Sequence, residues 1–358
     1  MIWKPKEREL TEEEALELAR KELAPVWLNS PPQLAAVRLP DGVLVYPLDA
    51  KFVDRPWLAV CVDITDYATT QVIQFAREWQ RRYVSHELGV LLVLRSPYTE
   101  LRTPSVMTQL LKRLGVHYPA VIDQEGLLSN ALGVRGLPHQ ALLHQKKVVF
   151  AFGPTEWSTR TEIAIQNFLR LSDPGLPLQP IYQPGQPVAP AITGLELGRT
   201  GALPFPKPGF GPPENGFGRA KFMGSVGDLS SRSTSRLALS GTWLQDADRI
   251  ATSEPGASLS FFAPGTEVAI VARTLAPDGK TVQALIEING APAFDMFCAA
   301  EVQLDEEGVC TAALGPIRVY PLLSKLPSDS RLVTLRFPHA DRAAVAIYGV
   351  RFAGSTEA

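Results

Sequence analysis

Between Pro174 and Pro213, 11 of 40 residues are proline and charges are sparse. Backbone so rich in proline favours extended conformations and cannot build the core of a helix or sheet. Folding must therefore happen on either side of this stretch, and the two sides differ in texture. The stretch itself reads either as a free linker or as a strap laid on one side or the other. Its apolar residues Ile181, Tyr182, Leu195, Leu197 and Phe205 speak for a strap.

On the amino-terminal side, Thr11-Glu12-Glu13-Glu14 is a capping-box pattern for a helix to about Leu23, with Leu16, Ala19 and Leu23 on one face. Leu34 to Leu39 and Val43 to Tyr46 read as strands around a Pro40-Asp41-Gly42 turn. From Trp57 to about Leu171 strand and helix alternate. The runs Leu58 to Ile64 and Leu88 to Leu94 are continuously apolar, as strands covered on both faces are. Between them Val72, Phe75, Ala76, Trp79 and Tyr83 keep the spacing of a helix stripe. Thr103-Pro104 opens a second helix whose buried face is Met107, Leu110, Leu111 and Leu114. Ala120 to Ile122 is a short strand, Gln140 to Leu143 and Val148 to Phe152 form a hairpin around Gln145-Lys146-Lys147, and a last helix spans about Thr159 to Leu171. Alternation ending in an antiparallel hairpin predicts an α/β domain, a mixed sheet with helices on both faces.

Beyond the proline-rich stretch, short strands begin at Leu237: Ser258 to Phe262, Glu267 to Arg273, Gln283 to Ile288, Val309 to Ala313, Arg331 to Phe337 and Ala344 to Phe352. Pro264-Gly265, Pro277-Asp278-Gly279, Asn289-Gly290 and Asp305-Glu306-Glu307-Gly308 punctuate them. Such spacing predicts an all-β, antiparallel, jelly-roll-like sandwich.

Composition narrows the function classes. Hydrophobic residues at 45% and charged residues at 20% fit a globular protein rather than a disordered one. A net charge of −2 with only paired basic residues, Arg81-Arg82 and Lys146-Lys147, gives no nucleic-acid or anionic-membrane footprint. The charged opening MIWKPKERELTEEE has no signal-like apolar run, and no run approaches the ~18 apolar residues of a membrane span, so a cytoplasmic location is expected. Three cysteines, Cys61, Cys298 and Cys310, form no C-x-x-C pair, and with five scattered histidines neither a metal site nor a cofactor is expected.

Several elements, taken in order, resemble a family. Trp27-Leu28-Asn29-Ser30, then Trp79 and Tyr83 on the first helix, then His117-Tyr118-Pro119 with Asp123, then Leu137-Pro138 are similar to the redoxin portion of DipZ/TlpA-type thioredoxin-related proteins. Leu197-Gly198, Ser240-Gly241-Thr242-Trp243, Arg318-Val319-Tyr320 and Tyr348-Gly349-Val350-Arg351-Phe352-Ala353-Gly354 resemble its strap and C-terminal β-sandwich. With the capping box and the proline-rich stretch, this gives a helical extension over residues 1–25 and a linker or strap over 174–218, between which the resemblance implies a thioredoxin-like domain over 26–173, followed by a carbohydrate-binding-module-like sandwich over 219–358. It also places Asp66 and Thr69 where the two redox cysteines stand. The family's glutamate after a serine-proline corner is Tyr98 here, following Ser96-Pro97, and the one in its glycine-flanked turn is Pro154. Disulfide exchange needs a thiolate at the helix start and a second, resolving thiol. An aspartate and a threonine supply neither.

What remains is weighed residue by residue. Asp66 or Thr69 serves as a helix cap before it serves as an anion sensor. Cys61, inside a strand, is a small hydrophobe, and its alternative is the thiol of a disulfide oxidoreductase or one-cysteine peroxidase. Tyr67, Leu137 and Pro138, with His139 beside them, form a candidate edge for a peptide, Pro138 being a candidate cis-proline. Non-redox chemistry near Asp66 and His139 lacks a visible nucleophile. Trp243 and Tyr320 are candidate sugar-stacking residues, with core packing the plainer role. Asp246, Asp248 and Glu254 are too dispersed for a calcium shell, and the inferred hairpin register does not set Cys298 opposite Cys310. The sequence thus points to a redox-inactive pseudo-enzyme that binds a protein, peptide or glycan partner. A structural assembly subunit pairing strand edges with its own copies is a further alternative.

Overall fold

The computed structural model describes residues 26–27, 37–38, 44–45, 55–66, 68–123, 126–144, 147–154, 158–177, 179–183, 191–197, 219–223, 237–276, 280–305, 308–327 and 332–354. The Thr11–Glu14 capping box and its helix, Leu28-Asn29-Ser30, the Pro40-Asp41-Gly42 turn, Tyr67, Gln145-Lys146, Gly198 and Phe205 lie outside them. The chain divides into two compact units. The first comprises Met1–Ile64, Thr69–Arg95 and Met107–Pro187, and the second Thr65–Ala68, Ser96–Val106 and Val188–Ala358.

In chain order the strands of the first unit are β1 (Val26–Trp27), β2 (Val37–Arg38), β3 (Leu44–Val45), β4 (Trp57–Asp63), β5 (Gly89–Arg95), β6 (Ala120–Ile122), β7 (His139–His144) and β8 (Lys147–Phe152). Helices α1 (Thr69–Tyr83), α2 (Pro104–Arg113), α3 (Leu127–Ala131) and α4 (Thr159–Ser172) complete the α/β part. Six strands form one sheet in the order β1-β8-β7-β4-β5-β6, and β2 pairs with β3 separately. Strand β4 is parallel to β5 and antiparallel to β7, so the sheet is mixed. Alternation along β7 shows helices on both faces. The His139 ring is bonded to the Leu132 backbone at the end of α3, whereas His144, on the other face, meets Phe168 of α4 at 5.3 Å.

Helix α1 buries Val72, Phe75, Ala76, Trp79 and Tyr83, the stripe its periodicity predicts. It lies on the α4 face, because Trp79 and Tyr83 both donate hydrogen bonds to the Glu162 carboxylate. Helix α3 has no counterpart among the sequence expectations. Its start is capped by Asp123, whose carboxylate accepts from the Leu128 and Ser129 amides and the Ser129 hydroxyl.

The second unit contains β9 (Ala191–Glu196), β10 (Arg219–Met223), β11 (Leu237–Gln245), β12 (Ile250–Thr252), β13 (Ala257–Phe262), β14 (Glu267–Thr274), β15 (Val282–Ile288), β16 (Ala291–Pro292), β17 (Gln303–Leu304), β18 (Cys310–Leu314), β19 (Arg318–Leu323), β20 (Leu332–Phe337) and β21 (Val345–Ala353). These 13 strands belong to one hydrogen-bonded sheet whose pairings are antiparallel. Trp243, Phe261, Phe337 and Phe352 sit in its core. Strand β21 is buried along its whole length. At Tyr348 and Gly349 its register against β14 shifts by one residue, the mark of a β-bulge. Val345, Ile347, Val350 and Phe352 consequently all join the core, while Tyr348 and Arg351 share the opposite face.

The described residues of the proline-rich stretch are held at two places. Gln179 and Pro180 accept side-chain hydrogen bonds from Gln166 and Arg82 in the first unit. In the second, β9 pairs with β21. Cys298 and Cys310 are disulfide-bonded, against the expectation from hairpin register. In that hairpin Cys310 stands opposite Leu304. Cys298 comes within reach by a different route, a bridge to Leu323 of β19.

Candidate functional site

In the first unit, β4 carries Cys61 into the sheet. The side chain is fully buried, and burial pushes its thiol far above the ordinary range, with the charge of Asp123 adding to the shift and Arg95 opposing it. A thiol held protonated away from solvent is a poor nucleophile and packs as a hydrophobe. Thr69 opens α1 as a buried residue, and its hydroxyl donates to the Asp63 carbonyl, tying the helix start back to the end of β4. The Leu137–Pro138 peptide bond is cis. Leu137 is half-buried, whereas Pro138 and His139 are buried.

His139 therefore does not stand on an open peptide-binding edge. Strand alternation turns it inward opposite Cys61, and its Nε2 has no hydrogen-bond partner among the described residues. Burial lowers its pKa, and the bond to Leu132 only partly offsets this. His144 is shifted the same way by burial. The unfolded chain, with imidazoles near pKa ~6.5, takes up protons first, so stability is expected to fall as pH drops through that value and to level off below the folded-state pKa. Urea midpoints at pH 7.5 and 5.5 measure this. The His139→Gln, His144→Gln double variant should show a smaller difference between the two pH values than wild type.

In the second unit, Asp66 accepts the Ala68 N–H at 3.1 Å, an Asx turn that stabilises the loop. Its neighbour Thr65 belongs to a larger network. The Arg351 guanidinium donates to the Thr65 carbonyl at 3.0 Å, the Thr65 hydroxyl at 3.1 Å and the Tyr98 hydroxyl at 2.7 Å. It also pairs with Glu196 of β9 at 2.8 Å. Tyr98 donates to Glu196. Burial raises its pKa, as does the nearby Glu196 charge, while Arg351 opposes the shift, so the phenol stays a donor. Alongside, Tyr348 donates to Glu100, which also pairs with Arg249 at 3.1 Å and with Arg273. Asp248 accepts the Thr99 N–H at 2.7 Å. The serine-proline corner and the loop before α1 are thus filled by satisfied polar groups.

Burial decides between the two roles weighed for Trp243 and Tyr320, in favour of core packing over sugar stacking. Trp243 is 1% exposed and donates to the Ser240 carbonyl. Tyr320 is 3% exposed, donates to the Pro316 carbonyl, and has Arg318 4.1 Å above its ring. Neither offers a face to a ligand. Glu254 accepts the Thr242 amide and Asp246 pairs with Arg249. Among the described residues no group of three His, Cys, Asp or Glu is placed to hold a metal ion, and no helix is long and apolar enough to cross a membrane.

No family model matches the chain, and no curated protein matches it. Solved structures do. One is a secreted Mycobacterium tuberculosis disulfide oxidoreductase homologous to E. coli DsbE, 8% identical, covering 33% of this chain and 84% of its own, with a TM-score of 0.28. Another is the thioredoxin domain of a thiol-disulfide oxidoreductase from Bacteroides vulgatus, 10% identical, covering 35% of this chain and 86% of its own, with a TM-score of 0.28. A family two carbohydrate esterase from Cellvibrio japonicus is 13% identical over 33% of this chain and 31% of its own, with a TM-score of 0.24.

Arg351, Glu196 and Glu162 were not singled out from the sequence. Arg351 had a readable signal, because a lone arginine in the apolar run from Ala343 to Ala353 must be paired if the strand is buried.

Proposed function

We propose that this chain is a redox-inactive, thioredoxin-like protein that works by binding a protein or peptide partner, with its second unit a jelly-roll-like sandwich. The domain division is the one drawn from the sequence, with 26–173 and 219–358 as the two folded parts. One observation carries the reading. The positions resembling the family's two cysteines are Asp66, used in a loop turn, and Thr69, bonded to Asp63, while the chain's free thiol is the buried Cys61. A glycan partner loses support with Trp243 and Tyr320 in the core. The cytoplasmic placement sits against the Cys298–Cys310 bond, which persists best in oxidising compartments.

The test is turnover of insulin disulfides and of hydrogen peroxide by the pure protein and by its Cys61→Ser variant. Background rates in both are expected. A wild-type rate well above background that disappears in the variant would make this a thiol enzyme and remove the proposal.

A further inference from the structure

Main-chain carbonyls and amides are much the same whichever residue carries them, so a site that reads them can accept any extended segment of the right pattern. The start of the proline-rich stretch sits in such a site on the first unit. The Gln166 amide donates to the Gln179 carbonyl at 2.9 Å, Arg82 donates to the Pro180 carbonyl at 2.5 Å, and the Glu162 carboxylate accepts the Tyr182 N–H at 2.8 Å. Three side chains of α1 and α4 thus take three backbone groups from four successive residues. The Tyr182 ring supplies an anchor, edge-on to Phe75 at 5.1 Å and with the Arg82 guanidinium 5.4 Å from its centroid.

The receiving groups are held independently of the segment. Arg82 also bonds Glu78 at 2.7 Å and Glu162 at 3.0 Å, and Gln166 also donates to the Tyr83 hydroxyl at 2.9 Å. Trp79 and Tyr83 in turn donate to Glu162. Donors and acceptors fixed in advance lower the ordering cost of binding. The segment itself is lightly held. Among the described residues Gln179 to Gln183 make no hydrogen bond from main chain to main chain. Pro180 is exposed, and Gln179, Ile181 and Tyr182 are only half-buried. Pro180 has no N–H to satisfy, and its fixed φ favours an extended backbone.

We propose that the groove between α1 and α4 is a peptide-binding site, closed here by the chain's own residues 179–182. Its ligand is an extended segment of another protein with a proline two residues before an aromatic residue. Two successive carbonyls of that segment meet Gln166 and Arg82, the amide of the aromatic residue meets Glu162, and its ring lies against Phe75 and Arg82. This names the site and the partner class for the binding role above and rests on that reading. The strap is then a competitor in cis, present at the high effective concentration of a tethered ligand.

The test measures binding of a fluorescent peptide with the sequence of residues 176–184 to the wild-type chain and to Tyr182→Ala. That substitution removes the anchor of the strap and changes no residue of the groove. The variant should bind at least about tenfold more tightly than wild type. Tyr182→Phe, which keeps the ring, should match wild type. Two altered peptides read the groove itself. Serine in place of the tyrosine, or an ester in place of the amide before it, should each weaken binding by about tenfold. The ester does so because it lacks the N–H that Glu162 accepts. The same order of peptides should hold on wild type, so the result does not depend on how well Tyr182→Ala folds. Equal affinity of wild type and Tyr182→Ala, or of the parent and ester peptides, overturns the proposal. So does a wild-type dimer that Tyr182→Ala abolishes without peptide binding, because the groove then holds the strap of a second copy. Insulin and peroxide turnover in the same samples separates the two readings, because thiol turnover would remove the binding role while leaving peptide affinity unchanged.

Discussion

Glu162→Ala should destabilise the first unit by about 3–5 kcal/mol, the range for breaking one side of a buried charged network. The carboxylate is fully buried on α4. Its Oε1 accepts from the Tyr83 hydroxyl at 2.8 Å and Arg82 at 3.0 Å, and its Oε2 accepts from the Tyr182 amide at 2.8 Å and Trp79 Nε1 at 3.4 Å. Alanine leaves four donors without that acceptor, three of them on side chains packed around a buried position. Burial and the Glu162 hydrogen bond both push the Tyr83 hydroxyl up, so it remains a donor across the physiological range and deprotonation gives no relief. Glu162→Gln keeps the shape but turns an amide toward Arg82 or Tyr83, and should cost roughly half as much. Urea unfolding followed through tryptophan emission measures both values. Hydrogen exchange at Tyr182 adds a local readout, because that amide loses its acceptor directly. A loss under about 1 kcal/mol for alanine would mean the network adds little beyond what water supplies.

The parts of this fold that could be read in advance are those with one dominant physical signal. The apolar runs of β4 and β5 announce strands covered on both faces, and both are buried along nearly their whole length. The stripe of α1 is set by helix period, and the six strands named beyond Leu237 recur within a residue or so of their expected bounds. Other features depend on distant partners. Helix α3 is five residues long and owes its start to Asp123, three residues before its N-terminal glycine. Strand β9 lies in a proline-rich stretch that argues against strands, yet it pairs with β21. Gly194 makes this possible, since a Cβ there would lie 2.3 Å from the Val350 carbonyl oxygen. Proline content described the stretch without showing where a glycine lets two backbones approach.

The same division runs through the site. That Asp66 and Thr69 bring no thiol could be read from residue types alone. Where Trp243, Tyr320 and His139 point could not, because an aromatic or a histidine in an apolar strand faces either way until its neighbours are known. Arg351 is the instructive case. Its charge within an apolar strand required a partner, but Glu196 is 155 residues away in sequence, and the bulge at Tyr348 and Gly349 decides which face the guanidinium takes.

Arg351→Met is the sharper probe of the second unit, with an expected loss of about 2–4 kcal/mol. Methionine retains most of the aliphatic stem but removes every donor, so the Thr65 carbonyl and hydroxyl and the Tyr98 hydroxyl lose the guanidinium bonds together. Glu196 stands apart in this account. Its side chain is 42% exposed, so water re-solvates the stranded carboxylate, and Glu196→Gln alone should cost under about 1 kcal/mol. The two effects should not add, because Tyr98 and Arg351 share Glu196 as a partner. A double-mutant cycle between the two positions is expected to give a coupling of about 0.5–1.5 kcal/mol, falling as salt rises to the extent that Glu196 is solvated. Arg351→Lys tests geometry rather than charge, since an ammonium cannot reach Thr65, Tyr98 and Glu196 at once as a planar guanidinium does, and it should recover less than half of the loss. Full recovery by lysine would mean that net charge, not the directed hydrogen bonds, holds the serine-proline corner and the loop before α1 against β21.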